Sequence, residues 1–154
     1  MQKITPFLWF DGNIEEAVNF YTSIFKNSKI TNVFRVGDGA GGKIMTATFV
    51  LENQEFMALD GGPMFKFTPA ISFFVNCETQ EEVDNFWTKL SAGGSEERCG
   101  WLKDKFGLSW QIIPSALGKL MGDPDPVKSQ RVMQAMLKMN KIEIKKLQEA
   151  HAGL

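Results

Sequence analysis

The side chains able to do chemistry in this 154-residue chain are few and thinly spread. Its single histidine, His151, stands near the C-terminus, in a segment expected to fray. One histidine excludes most imidazole-based metal centres and the triads that need a histidine base. The two cysteines, Cys77 and Cys99, do not make a disulfide framework and read as free thiols of a reducing cytosol. Cys99 lies near Arg98 and Lys103, and cations of that kind lower a thiol pKa, although a small unreactive residue is the better reading. Asp60 stands before Gly61-Gly62, where an aspartate commonly shapes a turn; it is also the one weak candidate for a catalytic acid or base. Gly37, Gly39 and Gly42 spell G-x-G-x-x-G. That spacing cradles a phosphate only between a strand and a helix, and here a β-branched stretch, Ile44 to Val50, follows it, so a hairpin loop is the better reading.

The elements that position these residues follow from hydrophobic periodicity. Ile4 to Phe10 reads as a strand, with Pro6 at an edge or bulge. Asn13 with Glu16 predicts a capping box, and Ile14, Ala17, Val18, Tyr21, Ile24 and Phe25 recur at helical spacing. Strands are expected over 30–36, 43–51 and 55–60, and a loop over 61–69. The pattern then repeats: a strand over 70–75, a Thr79/Glu82 capping box, an apolar stripe of Val83, Phe86, Trp87 and Leu90, and a Gly93-Gly94 stop. Short strands follow near 95–98, 101–105 and 108–114. At an offset of 65 residues Val18 falls on Val83, Tyr21 on Phe86 and Phe25 on Leu90. Two such modules must pack, because one of about 55 residues buries too little surface alone. Gly118 to Pro126 breaks the pattern, and 127–147 predicts two helices with a break near Asn140 and a Met-rich packing stripe.

Composition narrows the function. Hydrophobic residues are 44% and charged residues 23%, as in a folded globular chain, and the net charge of −1 disfavours a general nucleic-acid binder or a polybasic membrane anchor. No apolar run approaches the roughly 20 residues of a membrane helix and the N-terminus lacks a signal-peptide pattern, so a cytoplasmic protein is expected.

The paired modules resemble the vicinal-oxygen-chelate superfamily of glyoxalase I, extradiol dioxygenases and bleomycin-resistance proteins. The sequence is most similar to its PhnB-like, 3-demethylubiquinone-9 3-methyltransferase-like branch. The resemblance is carried by Leu8-Trp9-Phe10-Asp11-Gly12-Asn13, Glu16-Ala17, Phe20-Tyr21, 56–62, Ile71-Ser72-Phe73 and 99–112, with 131–136 and Lys141-Ile142 in the tail. It implies an α+β fold of two βαβββ modules forming a cup-shaped sheet: a domain over 1–118, with modules at about 1–66 and 67–118, and a helical extension over 119–154. It also implies a homodimer, since related modules often complete their cups across subunits.

The superfamily's metal enzymes place four His or Glu ligands where this chain aligns Thr5, Ala58, Ala70 and Gln111. Two of these are weak neutral donors and two cannot ligate, so no metal is expected. No alternating α/β pattern of an S-adenosylmethionine fold is visible, so no cofactor is expected either. Since alternate strand residues share a face, a cavity facing those positions would hold Phe7, Trp9, Phe56, Asp60, Ser72, Phe74, Ser109, Gln111 and Ile113, with Trp101 near its opening. Such a lining suits an aromatic or amphipathic small molecule. Metal-independent binding is the first reading. An enzyme acting on a quinone-like or aromatic substrate through Asp60, and a drug-sequestering resistance protein, are the alternatives.

Overall fold

The computed structural model describes residues 2–37 and 39–154, the side chain of Ala40 aside. The chain divides into two compact units, residues 1–67 and 68–154.

In the first unit the elements run β1 (Phe7–Phe10), α1 (Ile14–Ile24), β2 (Lys29–Val36), β3 (Lys43–Leu51) and β4 (Gln54–Asp60). The sheet order is β1-β4-β3-β2, with β1 parallel to β4 and the other pairs antiparallel. The strand β1 starts after Pro6 and lies at the sheet edge, which tolerates the missing amide donor. Tyr21 of α1 is fully buried and stacks on Phe49, which in turn stacks on Phe56. Leu8, Phe10, Ala47 and Ala58 complete this apolar layer with Ile14, Ala17 and Val18. Each large side chain buried here stabilises the fold by about 2 kcal/mol.

Asn13 does not form the expected capping box. Its side chain makes no capping hydrogen bond, and its Oδ1 is buried without a partner. The cause is backbone geometry: Asn13 has ψ 23°, whereas a capping side chain needs an extended residue. Thr79 has ψ 160°, and its Oγ1 accepts from Glu82 N at 3.1 Å. Between β2 and β3 the glycine motif forms a hairpin loop with a short 3-10 turn at Gly39–Gly41. Asp38 within it lies outside the described residues. A Cβ on Gly42 would lie 2.4 Å from Val36 O, so that glycine is required by the turn itself.

The second unit repeats the topology with β5 (Ser72–Cys77), α2 (Gln80–Ser91), β6 (Ser95–Glu96), β7 (Trp101–Lys103) and β8 (Ser109–Pro114), in the order β5-β8-β7-β6. Here the repeat is inexact: Trp87, not Phe86, takes the deeply buried place on α2. Three helices follow, α3 (Ser115–Met121), α4 (Pro126–Met136) and α5 (Ile144–Ala152). The break around Asn140 is present, and the helix α3 runs into the segment from Gly118 where the sequence pattern breaks. Gly118 lowers its helix propensity, and burial of Leu117, with Leu120 and Met121 packed beside it, overrides that cost.

The tail shares a core with the second module: Leu117, Val132, Met139, Ile142 and Leu147 pack together, with Ile113 of β8 against them. Residues 119–154 lie in the same compact unit as the second module. His151 is not frayed. It lies in α5 with Nε2 2.7 Å from Asp123 Oδ2, while Arg131 donates to the carbonyls of Ala150 and His151 at 2.9 and 2.8 Å. These bonds and the left-handed Gly153 satisfy the helix end. Among the described residues no helix is long and apolar enough to cross a membrane.

Candidate functional site

Each sheet has one face covered by its helix and one turned away from it, and the strand register decides which residues lie on which. In the first sheet Leu8 pairs with Ala58, which pairs with Ala47, and Phe56 pairs with Phe49. Phe56 and Ala58 therefore lie under α1, not with Phe7 and Trp9. The opposite face carries Phe7, Trp9, Met57 and Leu59, with Thr46 and Thr48 of β3. The expected grouping of Phe56 with Phe7 and Trp9 is thus off by one residue along β4.

Trp9 is seated by its own unit. Its Nε1 donates to Gly62 O at 2.8 Å, and Phe65 meets its ring edge-on at 5.0 Å. A Cβ on Gly61 would lie 2.3 Å from the Trp9 ring, so the Gly-Gly pair is a seat for the indole. Asp60 Oδ1 accepts the Gly12 N–H at 2.9 Å, which ties the end of β4 to the turn before α1. Gly12 has φ +76°, and the carboxylate holds that left-handed turn.

In the second sheet the register shows which residues share a face. Register places Ser72, Phe74, Trp101, Lys103, Ser109 and Gln111 on the face away from α2. Gln111 Nε2 donates to Ser72 Oγ at 3.0 Å. Ser109 is fully buried, and its Oγ has no hydrogen-bond partner. Lys103 is its direct cross-strand neighbour. Ile113 shares that face by alternation and is covered there by the tail core.

The sequence reading missed Asp104. This buried carboxylate accepts from Phe106 N, Leu108 N and Trp110 Nε1 at 2.8, 3.1 and 2.9 Å, and so holds the turn between Lys103 and Ser109. The Asp-x-x-Gly spacing to Gly107 was its available signal. Gln80 was also missed. It donates to Asp84 Oδ1 and Ile142 O, both at 2.9 Å, and accepts from Ile144 N at 2.7 Å, docking α5 on α2.

Both thiols are free. Burial first, then the charges of Glu82 and Glu78, push the Cys77 thiol up to about 12, so it is inert at neutral pH.

The residues do not suit the groups that this kind of fold and name would imply. Thr5 precedes β1 and lies near Gln2, Ala58 is under α1, and Ala70 sits in a turn before β5. Of the four aligned positions only Gln111 offers a donor on a sheet face turned away from its helix. Among the described residues no group of three or more His, Cys, Asp or Glu could hold a metal ion. The glycine motif leads into β3, not into a helix N-terminus, so it offers no phosphate cradle for a nucleoside cofactor.

A family model described as 3-demethylubiquinone-9 3-methyltransferase matches residues 2–113. The match ends before α3, so the tail residues read as part of the resemblance lie outside it. The PhnB protein of Bacillus cereus is 44% identical, with a TM-score of 0.68 over 73% of this chain and 99% of its own. A Pseudomonas aeruginosa protein shares the fold at 23% identity, with a TM-score of 0.63 over 74% of this chain and 98% of its own. The fosfomycin resistance protein FosX of Listeria monocytogenes, solved with Mn(II), shares the fold at 16% identity and a TM-score of 0.51, over 71% and 90% of the two chains. No curated protein matches.

Proposed function

We propose that this chain, which belongs to the 3-demethylubiquinone-9 3-methyltransferase family, binds a small aromatic or amphipathic molecule without a metal ion. One observation carries the reading: the buried Ser109 hydroxyl has no partner on a face that also bears Gln111, Ser72, Phe74 and Trp101. A buried hydroxyl left unpaired costs about 1–3 kcal/mol, and a ligand group that bonds to it recovers that cost. Gln111 donates its NH2 to Ser72, which leaves its Oε1 as the acceptor for a ligand donor. Phe74 and Trp101 supply apolar contact on the same face. The chemistry is recognition, since Asp60 is engaged with the Gly12 amide and the family's metal positions hold only weak neutral donors, at Thr5 and Gln111.

The reading extends to a homodimer in the cytoplasm, with no nucleic acid or membrane as partner. The edge strand β2 exposes Ile30, Val33, Phe34 and Val36, an apolar edge suited to a second copy.

Native mass spectrometry of protein purified without added metal tests both parts. The expected species is a metal-free dimer carrying a discrete organic mass. One transition metal per subunit overturns the metal-independent reading, and a monomer overturns the dimer. For the site itself, fluorescence titration with a short-chain ubiquinone analogue is compared in wild type, Ser109→Ala and Gln111→Ala. A loss of roughly tenfold in affinity is expected for each, from one buried hydrogen bond. Equal affinities in all three refute the assigned face.

A further inference from the structure

We propose that the cleft between the segment entering β7 and the C-terminal helices binds a small polyanion, a molecule bearing two or more phosphate or carboxylate groups. The cleft lies wholly in the second unit and holds about 700 Å³, within the size range of small-molecule sites. Much of its lining, from Ala135 to Lys146, lies beyond the residues 2–113 that match the family, and the proposal does not depend on the sheet-face reading.

The charge in the cleft is not that of the chain. Arg98, Lys138, Lys141 and Lys146 line it against Glu96 and Glu143, whereas the whole chain carries −1. The two carboxylates are engaged: Glu96 accepts the Trp87 indole N–H, and Glu143 pairs with Lys146 at 2.9 Å. Lys141 pairs with Asp84 at 2.8 Å. Arg98 and Lys138 have no ion-pair partner among the described residues.

The backbone brings these two cations to the same end of the cleft. Cys99 N donates to Met139 O and Gly100 N to Asn140 O, both at 2.8 Å, so Arg98 and Lys138 each stand one residue before a bonded pair. Gly100 permits this approach. A Cβ there would lie 2.6 Å from Ile113 Cδ1 and 3.1 Å from Ile142 Cγ1. An arginine fork and a lysine point charge on a fixed backbone, neither ion-paired, suit two anionic groups, while Lys141 and Lys146 line the cleft already paired with Asp84 and Glu143. The near-neutral chain favours a small anion over nucleic acid, which needs a longer cationic track.

Amide NMR titration of the full chain with pyrophosphate, and separately with citrate, tests the proposal. Saturable shifts confined to residues 96–100 and 138–146 are expected with at least one of them, and the stronger arm identifies phosphate or carboxylate as the preferred group. An Arg98→Gln/Lys138→Gln double variant, changed only at exposed positions, is expected to bind at least about tenfold more weakly. A Lys26→Gln control should bind as wild type. Absent, unsaturable or chain-wide shifts in the wild type overturn the proposal whatever the variants do, as does unchanged affinity in the folded double variant.

Discussion

Asp104 Oδ2 accepts the indole N–H of Trp110 at 2.9 Å, across the turn that joins β7 to β8. The same carboxylate takes the amides of Phe106 and Leu108, so one buried side chain sets both the turn and the start of the strand carrying Ser109 and Gln111. Asp104→Ala leaves these donors without the carboxylate, and an expected loss of about 3 kcal/mol follows. Asp104→Asn keeps one acceptor oxygen and should lose less. Urea unfolding of both variants measures the order; equal stability of wild type and Asp104→Ala contradicts the assignment.

Gly61 is a packing requirement of Trp9. Gly61→Ala puts a Cβ 2.3 Å from the indole and should destabilise by about 1–3 kcal/mol, with a change in the near-ultraviolet circular dichroism of the aromatic groups. Gly118→Ala is the contrast. It meets nothing within 4 Å and lies inside α3, so it should stabilise by about 0.5–1 kcal/mol. Thermal melts that rank the two variants in the other order would reject this account.

The two thiols should separate cleanly. Cys77 is fully buried with its thiol pushed up to about 12, so at pH 8 it stays protonated. A chromogenic disulfide reagent should modify one thiol, Cys99, in the native protein and two after unfolding. The folded chain holds this proton more tightly than the unfolded chain. The contribution of Cys77 is therefore full below the ordinary value of 9.0 and falls as pH rises from there towards 12. Cys77→Ala should show a flatter alkaline decline than wild type.

Lys141 first, then Gln80, hold the Asp84 carboxyl below its ordinary value of 3.8. A lowered carboxylate stabilises the fold above that value and loses its contribution as pH falls through the lowered one. The gap between wild type and Asp84→Asn should thus be present at pH 7 and close at the acid end. Both Asp84 and Lys141 are part-exposed, so solvent screening keeps the gap below about 1 kcal/mol, and high salt should shrink it. A gap that widens in acid would reverse the assigned sign.

Periodicity and turn chemistry alone determined most of the architecture. The apolar stripes of α1 and α2, the Thr79 cap, the hairpin reading of the glycine motif and the two-module repeat are local patterns, and local patterns are legible residue by residue. Alternation along a strand shows which residues share a face, but its phase relative to a neighbour is set by pairing. Phe56 and Ala58 went under α1 because β4 pairs in register with Phe49 and Ala47, a relation between distant segments. His151 was ordered by Arg131 and Asp123 from earlier in the tail, and α3 by burial of Leu117 in spite of Gly118. Only the tertiary structure decided that Ser109 is left buried and unpaired, that Asp60 is engaged with Gly12, and that Arg98 and Lys138 line one cleft. Hydrogen-bond satisfaction and charge pairing depend on partners far apart in sequence, and no spacing rule reports them.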